Sequence, residues 1–177
     1  MKKSRLFVSL ILVASLFMGG LQLAANAAKA KKKVIPGGQN QLMGTEGKIG
    51  AWLFNGTTKL KIVSVSYPEV GPTGQKPEAG KKWIAIEVEV KNAHKYTSSY
   101  GGPNCGLQLV DKDDQLFDRM FNVKRSDWNR DGARKLLPAA GLKALYVGSI
   151  DSDYTPVRLI FLPEPKVPVF RVKLESK

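Results

Sequence analysis

The chain is poor in the groups from which most catalytic and metal sites are built: its 177 residues include one cysteine, Cys105, and one histidine, His94. A single cysteine excludes an internal disulfide, so Cys105 is either a buried thiol or an intermolecular partner. With one Cys, one His and four Met, two of them Met1 and Met18, a transition-metal centre lacks soft and imidazole ligands. No stretch keeps the three-four apolar spacing of a helix for long, which argues against a helical fold, and the absence of repeats argues against propellers and solenoids. The apolar run Leu6–Met18 spans 13 residues before Gly19 and Gly20. A membrane-spanning helix needs about 20.

What is present first is a leader. Lys2, Lys3 and Arg5 precede the apolar run, and Ala25-Asn26-Ala27 supplies small residues three apart, the order of a secretory signal peptide over 1–27 with cleavage after Ala27. The competing reading is a retained anchor. No cysteine stands at the cut, so a lipid anchor there is excluded. The expected destination is secreted or periplasmic, with no transmembrane span left in the mature chain.

The formal charge of +13 is unevenly spread. Three cations leave with the leader and Lys29, Lys31, Lys32 and Lys33 lie in a flexible basic tail over 28–46, which leaves 21 basic against 15 acidic side chains from residue 34 onward. Such a surface is either simply solvated or drawn to an envelope protein or an anionic glycan or lipid; no specific nucleic-acid signature is present. The tail is either a linker or a dock on anionic lipid or wall polymer.

From Gly47 onward the apolar period is two. Ile49–Phe54 and Lys59–Tyr67 flank Asn55-Gly56, a dipeptide suited to positive φ at both centres of a hairpin turn, and a change of phase near Ile62 predicts a bulge. Trp83–Asn92 is the clearest strand, with Ile84, Ile86, Val88 and Val90 toward a core and the alternate face toward water. Leu107–Val110 and Gln115–Phe121 flank the acidic turn Asp111-Lys112-Asp113-Asp114. Leu142–Ile150, Pro156–Leu162 and Val167–Leu174 complete the set, and residues 93–106 and 122–135 are read as long loops. Seven to eight short strands predict one all-β domain over 47–177, an immunoglobulin-like antiparallel β-sandwich, with a barrel as the rival. The predicted core is Leu60, Ile62, Ile84, Ile86, Val88, Val90, Leu107, Leu109, Leu145, Val147, Leu159, Phe161, Val172 and Leu174.

Three short stretches carry a resemblance: Gly80-Lys81-Lys82-Trp83 through Val90-Lys91-Asn92, then Leu107–Asp111, then Leu137-Pro138-Ala139-Ala140-Gly141. Together they resemble the exported bacterial immunoglobulin-like domains of unknown function grouped with the mycobacterial immunoprotective extracellular antigen. The resemblance spans roughly residues 47–174 and implies that fold and export. It brings no catalytic residues.

Candidate chemistry concentrates in the loops. Lys124, Arg125, Trp128, Arg130, Arg134 and Lys135 join cations to an aromatic face, suited to pairing with an anionic partner, and Arg125, Trp128, Arg130 and Arg134 are the predicted contact residues. Asp127, Asn129 and Asp131 match the first half of a calcium loop, but Pro138 stands where the closing carboxylate belongs and cations surround the site. Calcium is thus an alternative, as a structural cofactor; otherwise no cofactor is expected. Tyr96 and Tyr100 form a second aromatic patch or a cap on the sandwich. A nucleophilic site would need His94 beside Ser98, Ser99 or Cys105, and a glycosidase would need a cleft between Asp111, Asp113, Asp114 and Asp118. Turns account for those carboxylates more simply. The sequence therefore predicts a non-enzymatic binding module.

Overall fold

The computed structural model describes residues 39–40, 46–101, 106–163 and 168–174. The leader, most of the 28–46 tail and Cys105 lie outside the described residues. Among the described residues every regular element is a strand and no helix is long and apolar enough to cross a membrane.

Twelve strands follow in chain order: β1 Gln39–Asn40, β2 Gly47–Lys48, β3 Leu53–Phe54, β4 Thr58–Ser66, β5 Lys81–Asn92, β6 Ser98–Tyr100, β7 Gly106–Asp111, β8 Leu116–Val123, β9 Arg134–Leu136, β10 Gly141–Asp151, β11 Pro156–Leu162 and β12 Phe170–Lys173. Five of these have two or three residues. The other seven are the strands that apolar alternation predicts. Ten strands run in the order β1-β3-β4-β5-β10-β8-β7-β11-β12-β2, while β6 and β9 form a separate ribbon.

The ten-stranded order is a sheet folded over on itself, and β8 is the fold line. Its last residues pair with β10 through Phe121↔Val147 and Val123↔Leu145, while Leu116, Phe117 and Met120 pair with β7. Between Leu107↔Met120 and Leu109↔Phe117 β8 carries one residue more than β7, a bulge that bends the strand from one layer into the other. The order opens at β1 and ends at β2, so the architecture is a sandwich and the barrel is excluded. Ile84, Ile86, Val88 and Val90 from one layer meet Leu107, Leu109, Leu159, Phe161, Phe170 and Val172 from the other, all essentially buried. Each such side chain contributes about 1.5–3 kcal/mol by leaving water.

Four local readings are corrected. Ile49–Phe54 is not one strand: Gly47 and Lys48 pair with Val172 and Lys173 in one layer, Gly50 turns at φ 81°, and Leu53–Phe54 pair with β4 in the other. The switch places Leu53 in the core at Gly47's backbone, where a Cβ on residue 47 would collide with its side chain. The sandwich is also not wholly antiparallel, since β1 pairs with β3 and β2 with β12 in parallel. The excursion to the other layer between β1 and β3 supplies the crossover that parallel pairing requires.

The hairpin after β3 turns one residue later than the dipeptide suggests. Phe54↔Lys59 pairing puts Gly56 and Thr57 at its centre, with Gly56 alone at positive φ, 105°. Asn55 precedes the turn, its side-chain oxygen accepting from Thr57 N at 3.1 Å and Thr58 N at 2.9 Å. That local bond makes the asparagine a turn former from outside its centre. The predicted bulge is present as the register shift between Ile62 and Ser64.

Finally, the phase of β10 is opposite to that expected. Pairing sets Tyr146 beside Ile86 and Ala144 beside Val88, so Ala144, Tyr146 and Ile150 face the core. Leu145 and Val147 face the other side, where they are buried in a separate small cluster with Ala85 and Val123.

Candidate functional site

That second cluster exists because a loop covers part of the outer face of the β4-β5-β10 layer. Beyond β8 the chain turns back on itself: Val123 bridges Arg130, Lys124 N donates to Asn129 O at 2.9 Å, and Trp128 N donates to Lys124 O at 2.9 Å. Trp128 closes the turn at φ 55°, a left-handed conformation that side chains larger than Asn rarely adopt. It lays the indole on Trp83, edge to face, with ring centroids 5.3 Å apart. Trp128 is half-buried there.

The neighbouring cations are brought to the same face. Arg125 Nη1 donates to Glu87 Oε1 at 2.6 Å. This bond is the main reason the Glu87 carboxyl sits below its usual range and the guanidinium above its own. Arg130 lies 3.9 Å over the ring of Phe121, itself 43% exposed. Of the four predicted contact residues, Arg125, Trp128 and Arg130 thus converge on one face. Arg134 belongs to β9, its guanidinium bonded to Asp131 at 3.1 Å.

Of the three residues proposed for calcium, Asp127 and Asp131 have side-chain oxygens engaged within the protein. Asp127 Oδ1 accepts from Asn129 N at 2.9 Å, the main cause of its lowered pKa, and Asp131 Oδ1 accepts from Gly132 N at 3.0 Å. Among the described residues no group of three or more His, Cys, Asp or Glu side chains is placed to hold a metal.

Both long loops contain strand. Ser98–Tyr100 pairs with Arg134–Leu136, a ribbon missed because three-residue strands leave no periodic signal. It carries Tyr100 into the core, 2% exposed, with its hydroxyl 3.1 Å from that of Thr58. Tyr100 therefore caps the sandwich and leaves the proposed aromatic patch. Tyr96 remains exposed and stacks on His94, centroids 4.4 Å apart. Ser98 is buried and Ser99 exposed.

Asn92 organises this end. Its amide nitrogen donates to Tyr96 O at 2.8 Å and Leu136 O at 2.9 Å, and its oxygen accepts from His94 N at 2.9 Å. Its backbone exchanges bonds with Ala139 and Ala140 at 2.9 Å each. The asparagine of the resemblance and the Leu137–Gly141 stretch are thus two halves of one structural joint. At the other end Asp111 Oδ1 accepts from Asp113 N and Gln115 N, and Asp114 pairs with Arg158, so these carboxylates serve turns. The side chain of Asp118 lies outside the described residues.

The outer face continues away from Trp83 toward the Asn92 end, as sequence reading did not reveal. Strand register aligns Lys59 with Lys91 and Lys61 with Glu89, while Lys143 also stands opposite Glu89. Trp52 lies beside them, with Lys91 Nζ 4.7 Å and Lys61 Nζ 5.8 Å from its ring centroid. The face is therefore cationic and aromatic along most of its length. Its residues come from five separate segments, so no local motif marks it.

No family model matches the chain and no curated protein is similar to it at a significant level. Among solved structures, an uncharacterized β-sandwich protein from Clostridium difficile 630 superposes with a TM-score of 0.53 at 15% identity, covering 74% of this chain and 95% of that one. The yjhA protein from Bacillus subtilis gives 0.50 at 18% identity, over 72% and 98%. MPT63, a secreted protein from Mycobacterium tuberculosis, gives 0.50 at 9% identity, over 73% and 97%. At these identities the likeness is one of fold, and it places this chain among β-sandwich proteins that include the secreted mycobacterial protein.

Proposed function

We propose that the protein is an exported, non-enzymatic binding module of the cell envelope, and that it binds an anionic partner through the outer face of the β4-β5-β10 layer. The observation that carries this reading is the convergence of Arg125, Trp128 and Arg130 with Trp83 and Phe121 on one rigid sheet face. Cations held beside aromatic rings on a fixed scaffold are poised for anion recognition. The leader of the sequence and the likeness to a secreted sandwich support export.

The test is a pull-down from envelope extract with the wild-type chain and an Arg125→Ala/Trp128→Ala/Arg130→Ala variant, both checked for a cooperative thermal melt. Loss of specific partners from the variant is expected. Equal recovery by both forms would sink this site.

A further inference from the structure

We propose that the Asn92 end of the outer face, built from Trp52, Lys59, Lys61, Lys91 and Lys143, is a binding site for a linear phosphodiester polymer. The inference rests on the binding-module reading but on different residues. Lys59 and Lys91 are directly opposed across β4 and β5. Like charges in that position destabilise a sheet. Glu89 is shared between Lys61 at 3.7 Å and Lys143 at 3.5 Å, one carboxylate between two cations. Among the described residues neither Lys59 nor Lys91 forms an ion pair.

Lys91 is held instead by the Trp52 ring, which also attracts Lys61. The negative face of the indole fixes ammonium groups without neutralising them. Their positions are thus set before a ligand arrives, which lowers the entropy lost on binding. Beside them runs a groove of about 300 Å³ lined by Glu89, Val90, Lys91, Gly141, Leu142 and Lys143. A face that opposes Lys59 to Lys91, yet keeps Lys91 in place with an aromatic ring, breaks a rule of sheet stability where a binding site would break it.

The spacing and the chemistry select the ligand. The backbone positions that carry neighbouring lysines stand roughly 5 Å apart across strands and roughly 7 Å apart along one, a row that suits a chain with one charge per monomer better than an isolated anion. Lysine binds phosphate as a point charge, which suits the single delocalised charge of a phosphodiester.

The experiment titrates the full chain with poly(glycerol phosphate) across a range of salt, in parallel with phosphatidylglycerol vesicles. Lys59→Gln/Lys91→Gln should weaken polymer binding by about tenfold or more and reduce the slope of log K against log salt by about two, one for each lost phosphate contact. The same variant should melt at a higher temperature than wild type, since it removes a like-charge pair. Unfolding therefore cannot account for the lost binding. Trp52→Leu should weaken binding several-fold by releasing the lysines, whereas Lys112→Gln/Lys173→Gln, which removes two exposed cations away from this face, should remain within about twofold of wild type.

Unchanged affinity in Lys59→Gln/Lys91→Gln overturns the site, as does binding confined to vesicles. An equal loss in Lys112→Gln/Lys173→Gln also overturns it, since binding then follows net charge alone, and leaves the loop reading intact. A wild-type chain that binds no polymer overturns the ligand class, while the pull-down judges the loop reading separately.

Discussion

Trp83 and Trp128 meet edge to face across the outer surface of the sandwich, 5.3 Å between centroids, and the contact depends on Trp128 holding φ at 55°. A left-handed residue other than glycine carries roughly 1–2 kcal/mol of strain. The ring packing offsets it. Trp128→Gly loses the packing but relieves the backbone, and Trp128→Ala loses the packing alone. Urea denaturation should therefore rank wild type above Trp128→Gly and Trp128→Gly above Trp128→Ala, with about 1 kcal/mol between the two variants. A double-mutant cycle with Trp83→Ala should give a coupling of about 0.5–1.5 kcal/mol.

Asn92 is 1% exposed and its carboxamide makes three hydrogen bonds. Asn92→Ala strands two carbonyls and one N–H, and Asn92→Asp replaces both donors with an acceptor facing the carbonyls of Tyr96 and Leu136. Losses of about 2–4 kcal/mol are expected from chemical denaturation, larger for the aspartate. Amide exchange at His94 and Ala139 should accelerate most.

Gly47→Ala drives a methyl group into the Leu53 side chain at the point where the chain switches layers. Overpacking of this kind destabilises by about 1–3 kcal/mol. A compensating Leu53→Val in the same chain should recover part of the loss.

Two ionisations have opposite signs. The Glu87 carboxyl, lowered chiefly by the Arg125 hydrogen bond, adds stability above the ordinary glutamate pKa of about 4.3 and loses it as pH falls through the lower folded value. The pair is exposed, so the contribution is below about 1 kcal/mol. Wild-type and Arg125→Gln melting curves should converge toward acid. Tyr154 is pushed up to about 12 by burial, with the charge of Asp111 adding to it, so folding favours its protonated form. Stability should fall between the ordinary tyrosine pKa of about 10 and the folded value, and Tyr154→Phe should flatten that decline in melts followed by circular dichroism.

The seven longer strands were legible because each runs far enough for period-two alternation to show. All 14 predicted core positions are buried. Leu145 and Val147 were nevertheless placed on the wrong side, because alternation gives the period and leaves the phase to pairing. Cross-strand register with Ile86 decides it for Tyr146, and cover from Trp83 and Trp128 makes both faces of β10 apolar. The cluster Arg125, Trp128, Arg130 was readable because one loop supplies it. Trp52, Lys59, Lys91 and Lys143 were not, since only the register of four separate segments unites them.

The pairing of Gly47 with Val172 has a kinetic consequence. One layer is completed only when the two sequence extremes of the domain meet, and the core that the layers share depends on β8 crossing between them. Contacts so distant in sequence put folding in the slow range, milliseconds to seconds. During that interval the cationic outer face and the apolar inner face are both open to solvent. The two-residue strands β1 and β2 then close the sheet's two ends with very short edges, which leaves little exposed backbone for another chain to extend.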